Sequence, residues 1–111
     1  MTKLPRALDG FFALPFTDTI NALSLGAGVA ETMTVPSGAH FVAMSATADF
    51  YAKWTAAGTT ATAATVPGDT TDGTGAALNP TLRRVSPGDS ISVISAVACV
   101  VTFEFFQRDI V

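Results

Sequence analysis

The chain has 111 residues and a net charge of −3, six Lys and Arg against nine Asp and Glu. That length holds one domain with one real core, and the charge lacks the basic stripe of a nucleic-acid binder. Only 14% of residues are charged while 49% are hydrophobic, which excludes a disordered chain; no run approaches the ~20 apolar residues of a membrane-spanning helix.

Residues 1–17 read as an extended arm. Pro5 and Pro15 restrict the backbone, and Gly10 breaks any helix between them. Phe11, Phe12 and Phe16 are too costly to leave in water, so they are expected to pack on the domain or on a neighbouring subunit. The apolar run around them follows Asp9 and is cut by Pro15, which makes it a poor signal peptide; the chain is expected to be soluble and made in a cytoplasm.

From residue 18 to 111 the text is that of a single β-domain. Thr19–Leu25 alternates Ile20 and Ala22 against Thr19 and Asn21, and then Leu23 and Leu25 shift the phase. Gly26-Ala27-Gly28 turns the chain, and Val29–Val35 alternates again. Pro36-Ser37-Gly38 is a tight turn in which Gly supplies positive φ. His40–Thr47 is apolar on both faces, as a central strand would be. Asp49–Thr55 is the cleanest strand, with Phe50, Ala52 and Trp54 expected inside and Tyr51, Lys53 and Thr55 outside.

Residues 56–65 contain no large side chain, which predicts a mobile loop with a weak edge strand at Thr62–Val66. Residues 67–77 are loop as well, rich in Gly, Thr and Asp. Asn79-Pro80 marks a turn or strand start, and Leu82–Val85 resumes an extended run. Ser86-Pro87-Gly88-Asp89 is a second tight turn, followed by strands over Ser90–Ser95 and Cys99–Gln107. In the last strand Val101, Phe103 and Phe105 share one face, and Val100, Thr102, Glu104 and Phe106 share the other.

Two stretches resemble each other at an offset of 50 residues: Val35 to Ala48 reads against Val85 to Ala98 without a gap. One extra residue near Val100, as a bulge would supply, then aligns Phe50, Ala52 and Trp54 with Val101, Phe103 and Phe105. The pattern predicts two equivalent hairpins facing each other in a β-sandwich. No segment carries helical periodicity. The fold class is therefore all-β: an antiparallel, jelly-roll-like β-sandwich with an extended N-terminal arm.

Little in the chain points to chemistry. His40 lacks the context of a catalytic base, with no nucleophile elbow nearby in sequence, and a structural or subunit-contact role is preferred. Cys99 is single and reads as a small buried hydrophobe. Asp69 and Asp72 sit in a Gly-rich loop whose oxygens suit Ca²⁺, but the loop lacks EF-hand spacing, and Asp and Gly also dominate ordinary turns. No catalytic residue, cofactor or metal is assigned. Arg83-Arg84 is the only basic pair; on a strand the two point to opposite faces, which suits an ion pair at a subunit boundary or surface. Tyr51, Trp54 and Phe106 suggest a carbohydrate platform, although Trp54 falls in the inward phase. Phe106 shares a face with Glu104 and Thr102, so a partner is expected to cover it.

Three segments, VPSGAHFVAMSATADFYAKW (35–54), TVPGDTTDGTGAALNPTLRRV (65–85) and SISVISAVACVVTFEFF (90–106), carry a family likeness over about residues 29–106. Their order of a Val-Pro-x-Gly turn, a Thr-x-Asp-Phe-Tyr strand, an Asp-Gly-Thr-Gly…Leu-Asn-Pro loop and a Cys-Val-Val-Thr strand resembles small β-sandwich structural proteins of tailed-bacteriophage virions. The resemblance implies a non-enzymatic virion subunit: a capsid decoration (cement) protein, with a head–tail or tail component as the alternative. It implies copies of itself and the major capsid protein or other virion subunits as partners, no nucleic acid or membrane, and a place in the virion after synthesis in the host cytoplasm. Phe11, Phe12, Phe16, Arg83, Arg84 and Phe106 are the candidate contacts. A rival from another class is a receptor- or glycan-binding module built on Tyr51 and the 67–79 loop.

Overall fold

A computed structural model describes residues 1–4 and 14–108. The described residues form nine strands and no helix: β1 Thr2–Leu4, β2 Ile20–Leu25, β3 Glu31–Thr34, β4 Phe41–Ala46, β5 Tyr51–Thr55, β6 Ala77–Leu78, β7 Leu82–Arg84, β8 Ser90–Ile94 and β9 Cys99–Arg108. One sheet runs β2-β9-β4-β7 and the other β3-β8-β5-β6. All of these pairings are antiparallel. The orders 2-9-4-7 and 3-8-5-6 are those of the eight-stranded jelly roll. β1 adds the one parallel ladder, Thr2 opposite Phe106 to Leu4 opposite Arg108, on the edge of β9 that also holds β2.

The sequence repeat is real in space, but its units are not hairpins. β3, β4 and β5 alternate between the sheets, as do β7, β8 and β9, and within each copy consecutive strands do not pair. The ladders run between copies: exchanging the copies turns β3·β8 into β7·β4, and β4·β9 into β8·β5. The turns explain this crossing. Val35 N–H donates to the Asp89 carbonyl at 2.8 Å, and Val85 N–H to the His40 carbonyl at 2.9 Å. Each turn therefore satisfies backbone groups of the other copy. Gly38 and Gly88 hold φ of 87° and 86°, with Ala39 N–H on the Pro36 carbonyl and Asp89 N–H on the Ser86 carbonyl, as at the third position of type II turns.

The core lies between the inward faces. Val101, Phe103 and Phe105 of β9 are fully buried, and the two phenylalanine rings stack at 6.3 Å between centroids. Val42 and Met44 of β4 join them, together with Ala52, Ile91 and Val93 of the opposite sheet, Val35, Val85, Phe50 and Cys99. Each large side chain buried here contributes about 1.5–3 kcal/mol.

Several expectations are corrected. In β2 the phase does not shift: Ile20 and Ala22 lie opposite Glu104 and Thr102 on the exposed outer face, while Leu23 and Leu25 turn inward opposite Val101 and Cys99. Residues 1–17 are not an arm outside the domain along their whole length. Leu4 is buried in the β1 ladder, and the buried Thr17 hydroxyl donates to the Phe105 carbonyl at 2.8 Å. Phe106 is fully buried within its own chain, so the cover expected from a partner is supplied in cis. Trp54 has the inward phase of Phe50 and Ala52 but is 57% exposed, because it stands near the end of β5, beyond the closed part of the core.

The 56–77 segment is not free, and no strand forms over Thr62–Val66. Ala64 is buried, and its N–H donates to the Ser92 hydroxyl at 2.8 Å; the Lys53 ammonium donates to the Thr74 carbonyl at 2.9 Å. Ser92 pairs with Thr32 and Lys53 while its neighbours Ile91 and Val93 fill the core, so it faces outward and is nonetheless buried. A small residue anchors the segment in place of a large one: without a bulky side chain its backbone comes close enough to bond the sheet.

Two outcomes test this account. Gly38→Ala and Gly88→Ala should each destabilise the domain by about 1–2 kcal/mol in denaturant unfolding, the cost of a left-handed alanine. At Gly88 the added Cβ also meets the Ala57 Cβ at 3.2 Å. Gly68→Ala, which meets nothing within 4 Å, should be close to neutral. Ser92→Ala should cost about 1–3 kcal/mol by stranding the buried Ala64 N–H and should open residues 56–66 to limited proteolysis, whereas the wild type resists cleavage there.

Candidate functional site

Asp89 occupies the place in the second turn that Ala39 holds in the first. Its side chain is buried, and its carboxylate receives three donors: the Trp54 indole N–H at 2.8 Å, Ser86 N–H at 2.8 Å and Ala57 N–H at 3.0 Å. Burial alone would raise its pKa, but the bonds from Trp54, Ser86 and Ala57 together outweigh that cost and hold it below the ordinary aspartate value of 3.8. The tie closes the second tight turn onto the end of β5 and the start of the 56–77 segment. It also fixes the indole by its polar edge, leaving the ring face largely in solvent.

Beside that indole lies an apolar cleft of about 180 Å³ between the sheets, lined by Val42, Met44, Ala52, Trp54, Pro80, Arg83 and Ile91 among others. It opens where β7 ends one sheet and β6 ends the other. These edge strands are three and two residues long, too short to cover the inward residues behind them. Arg83 pairs with Val42 and so shares its inner face, while Arg84 pairs with Phe41 on the outer face. The two arginines take opposite faces of the ladder as expected, yet both border the cleft. Neither has a carboxylate partner among the described residues; the Arg83 guanidinium donates to the Leu82 carbonyl at 3.0 Å.

Phe16 lies at the other edge of the first sheet. It is 94% exposed, next to Leu14 at 38%, in an irregular segment anchored by Thr17 on β9. Asp18 follows, 76% exposed and paired with the N-terminal ammonium at 2.9 Å, which holds its carboxyl below the usual range. Phe11 and Phe12 fall outside the described residues.

The remaining candidates stay apart. Tyr51 and Trp54 are on opposite faces of β5, and Phe106 is buried in the other sheet, so they form no common platform. His40 Nδ1 is 3.0 Å from the Gly38 carbonyl, within its own turn. The Asp72 carboxylate accepts the Thr74 hydroxyl at 2.7 Å and its N–H at 3.2 Å, the geometry of an ordinary Asx turn. Among the described residues no three His, Cys, Asp or Glu side chains gather as a metal site. Sequence reasoning passed over Asp89; the available signal was the one charged residue at a matched turn position of the repeat. Comparison with protein-family models, curated proteins and solved structures finds no match for this chain.

Because the folded-state pKa of Asp89 lies below its unfolded value, its contribution to stability is present above about pH 4 and is lost as pH falls through the folded value. Asp89→Asn should therefore flatten the acid limb of the stability–pH curve. Asp89→Ala should cost about 2–3 kcal/mol at neutral pH by stranding its donors, read by urea unfolding at pH 3 to 7 with Trp54 fluorescence as the probe.

Proposed function

We propose that this protein is a non-enzymatic structural subunit of a tailed-phage virion, a capsid decoration protein that stabilises the particle through contacts with neighbouring subunits. The observation that carries this is Phe16: an aromatic almost wholly in water, on a segment whose next residue is bolted to the central strand of the sheet. An exposed phenylalanine next to a hydrogen-bonded anchor suits a docking knob: the Thr17 bond limits the backbone freedom lost on binding, leaving the ordering of the ring as the main entropic cost. The likeness of the three quoted segments to phage virion proteins supplies the setting. The jelly roll is compatible with it, being an architecture shared by capsid and lectin domains, although a fold alone does not define a function. Arg83 and Arg84 on the short edge strand fit the rim of such a contact. A head–tail or tail position would use the same knob.

A glycan-binding role draws on the exposed Trp54 ring. There, however, the neighbouring carboxylate of Asp89 is already held by three protein donors, which leaves it poorly placed to receive sugar hydroxyls.

Particles depleted of the subunit, mixed with purified protein and pelleted, provide the test. Phe16→Asp should lose particle binding while leaving the unfolding midpoint of the free protein nearly unchanged, as for any exposed site. Wild-type binding retained by Phe16→Asp would exclude the knob. A point change is needed because truncating residues 1–16 would also remove β1 from the sheet.

A further inference from the structure

The cleft and the knob lie on opposite edges of one molecule. Along the first sheet the order is β2-β9-β4-β7, so three strand spacings, about 14 Å, separate the Phe16 edge from the cleft edge. Thr17 is fastened to β9, so Phe16 cannot cross to its own cleft. The cleft is too small for a drug-sized ligand, which needs about 300–1,000 Å³. At about 180 Å³ it is close to the roughly 150 Å³ apolar cavity that holds one benzene. Its walls include Val42, Met44, Ala52 and Ile91, with the anchored Trp54 indole as an aromatic partner and the cations Arg83 and Arg84 in its lining. Charge matches as well as size: Asp18, two residues after Phe16, is mostly exposed, and while its Oδ1 holds the N-terminal ammonium and the Thr19 hydroxyl, its Oδ2 has no partner among the described residues; Arg83 has no carboxylate among the described residues.

We infer that the cleft between β6 and β7 receives Phe16 of a second copy of this chain, with Asp18 of the entering copy against Arg83 of the receiving one. This deepens the structural-subunit proposal by naming the partner of the knob. A patch on one edge meeting a different patch on the other edge is a heterologous contact, which propagates into a ring or an open row instead of stopping at a symmetric dimer. Each junction is small, far below the roughly 1,200 Å² of a stable interface, so the free protein is expected to associate with a dissociation constant on the order of 0.1–1 mM. Copies held side by side on a particle would join at much higher effective concentration.

Sedimentation equilibrium of the full chain up to about 1 mM reads this directly. The wild type should rise above its monomer mass of 11.4 kDa, with a blue shift of Trp54 fluorescence over the same range. Phe16→Ala should weaken association about ten- to a hundredfold, the loss of one buried aromatic. Arg83→Asp, an exposed change that leaves the core intact, should also weaken it, and combination with Asp18→Arg should restore it. Phe16→Ala mixed with Arg83→Asp should form heterodimers and nothing larger, because each mixed pair retains one good knob and one good cleft. A wild type that stays monomeric to 1 mM overturns the inference, as does a Phe16→Ala variant that associates like the wild type. The assay contains no particle, so its failure is distinct from failure of the virion proposal: loss of particle binding by Phe16→Asp beside a monomeric wild type would assign the knob to another virion protein.

Discussion

Strand β9 has both edges hydrogen-bonded, to β4 along one side and to β2 and then β1 along the other. Ten residues long, it joins strands from the N-terminal and middle parts of the chain to its C-terminal part. Its inner row, Val101, Phe103 and Phe105, is fully buried. Its backbone also takes the Thr17 hydroxyl at Phe105 and the Thr19 carbonyl at the Phe105 N–H. The strand that organises the core is thus also the one that positions the exposed Phe16. Because nearly all these pairings are remote in sequence, the domain must close long loops before its contacts reward it, which favours slow folding.

The two-fold relation between the repeats explains how the two turns hold the sheets together. Each turn is held by the other copy, so neither has to be stable alone. The relation is broken at one chemically consequential place, Ala39 against Asp89. The alanine is simply buried, whereas the aspartate gathers an indole and two backbone donors. The bonds from Ser86 and Ala57 fix the carboxylate, and its charge-assisted bond to the indole N–H holds the tryptophan in place without burying it, which turns the end of β5 into one wall of a cleft.

The outer faces are treated differently. The chain's own 56–77 segment bonds the outer face of the sheet containing β8 at Ser92, Thr55 and Lys53 and leaves Thr32 and Thr34 of β3 exposed, while the sheet containing β9 leaves Ile20 and Val100 exposed, 50% and 38% respectively. A subunit that covers part of one face itself and leaves apolar groups on the other face and at both edges has directions built into it. The short strands β6 and β7 leave one edge open, and the Phe16 segment marks the other.

The sequence by itself determined the all-β class, seven of the nine described strands to within a residue or two, the two glycine turns and the duplicated stretch, because alternation, positive φ and turn chemistry are local; it missed the short β1 and β6, which only their partners define, and expected an edge strand over Thr62–Val66 that does not form. It also marked Phe16, together with Phe11 and Phe12, as lying outside the β-pattern and needing cover. Only the tertiary structure decided which strands pair, since a repeat of strand–turn–strand reads the same for a hairpin and for a crossing between sheets. It placed Trp54 at the rim, because residue phase says which way a side chain points but not where the opposite sheet ends. It buried Phe106 and Ala64, whose covers come from elsewhere in the chain. It also made Asp89 a hub, because its partner Trp54 lies 35 residues away and no local pattern links an aspartate in one turn to an indole on another strand.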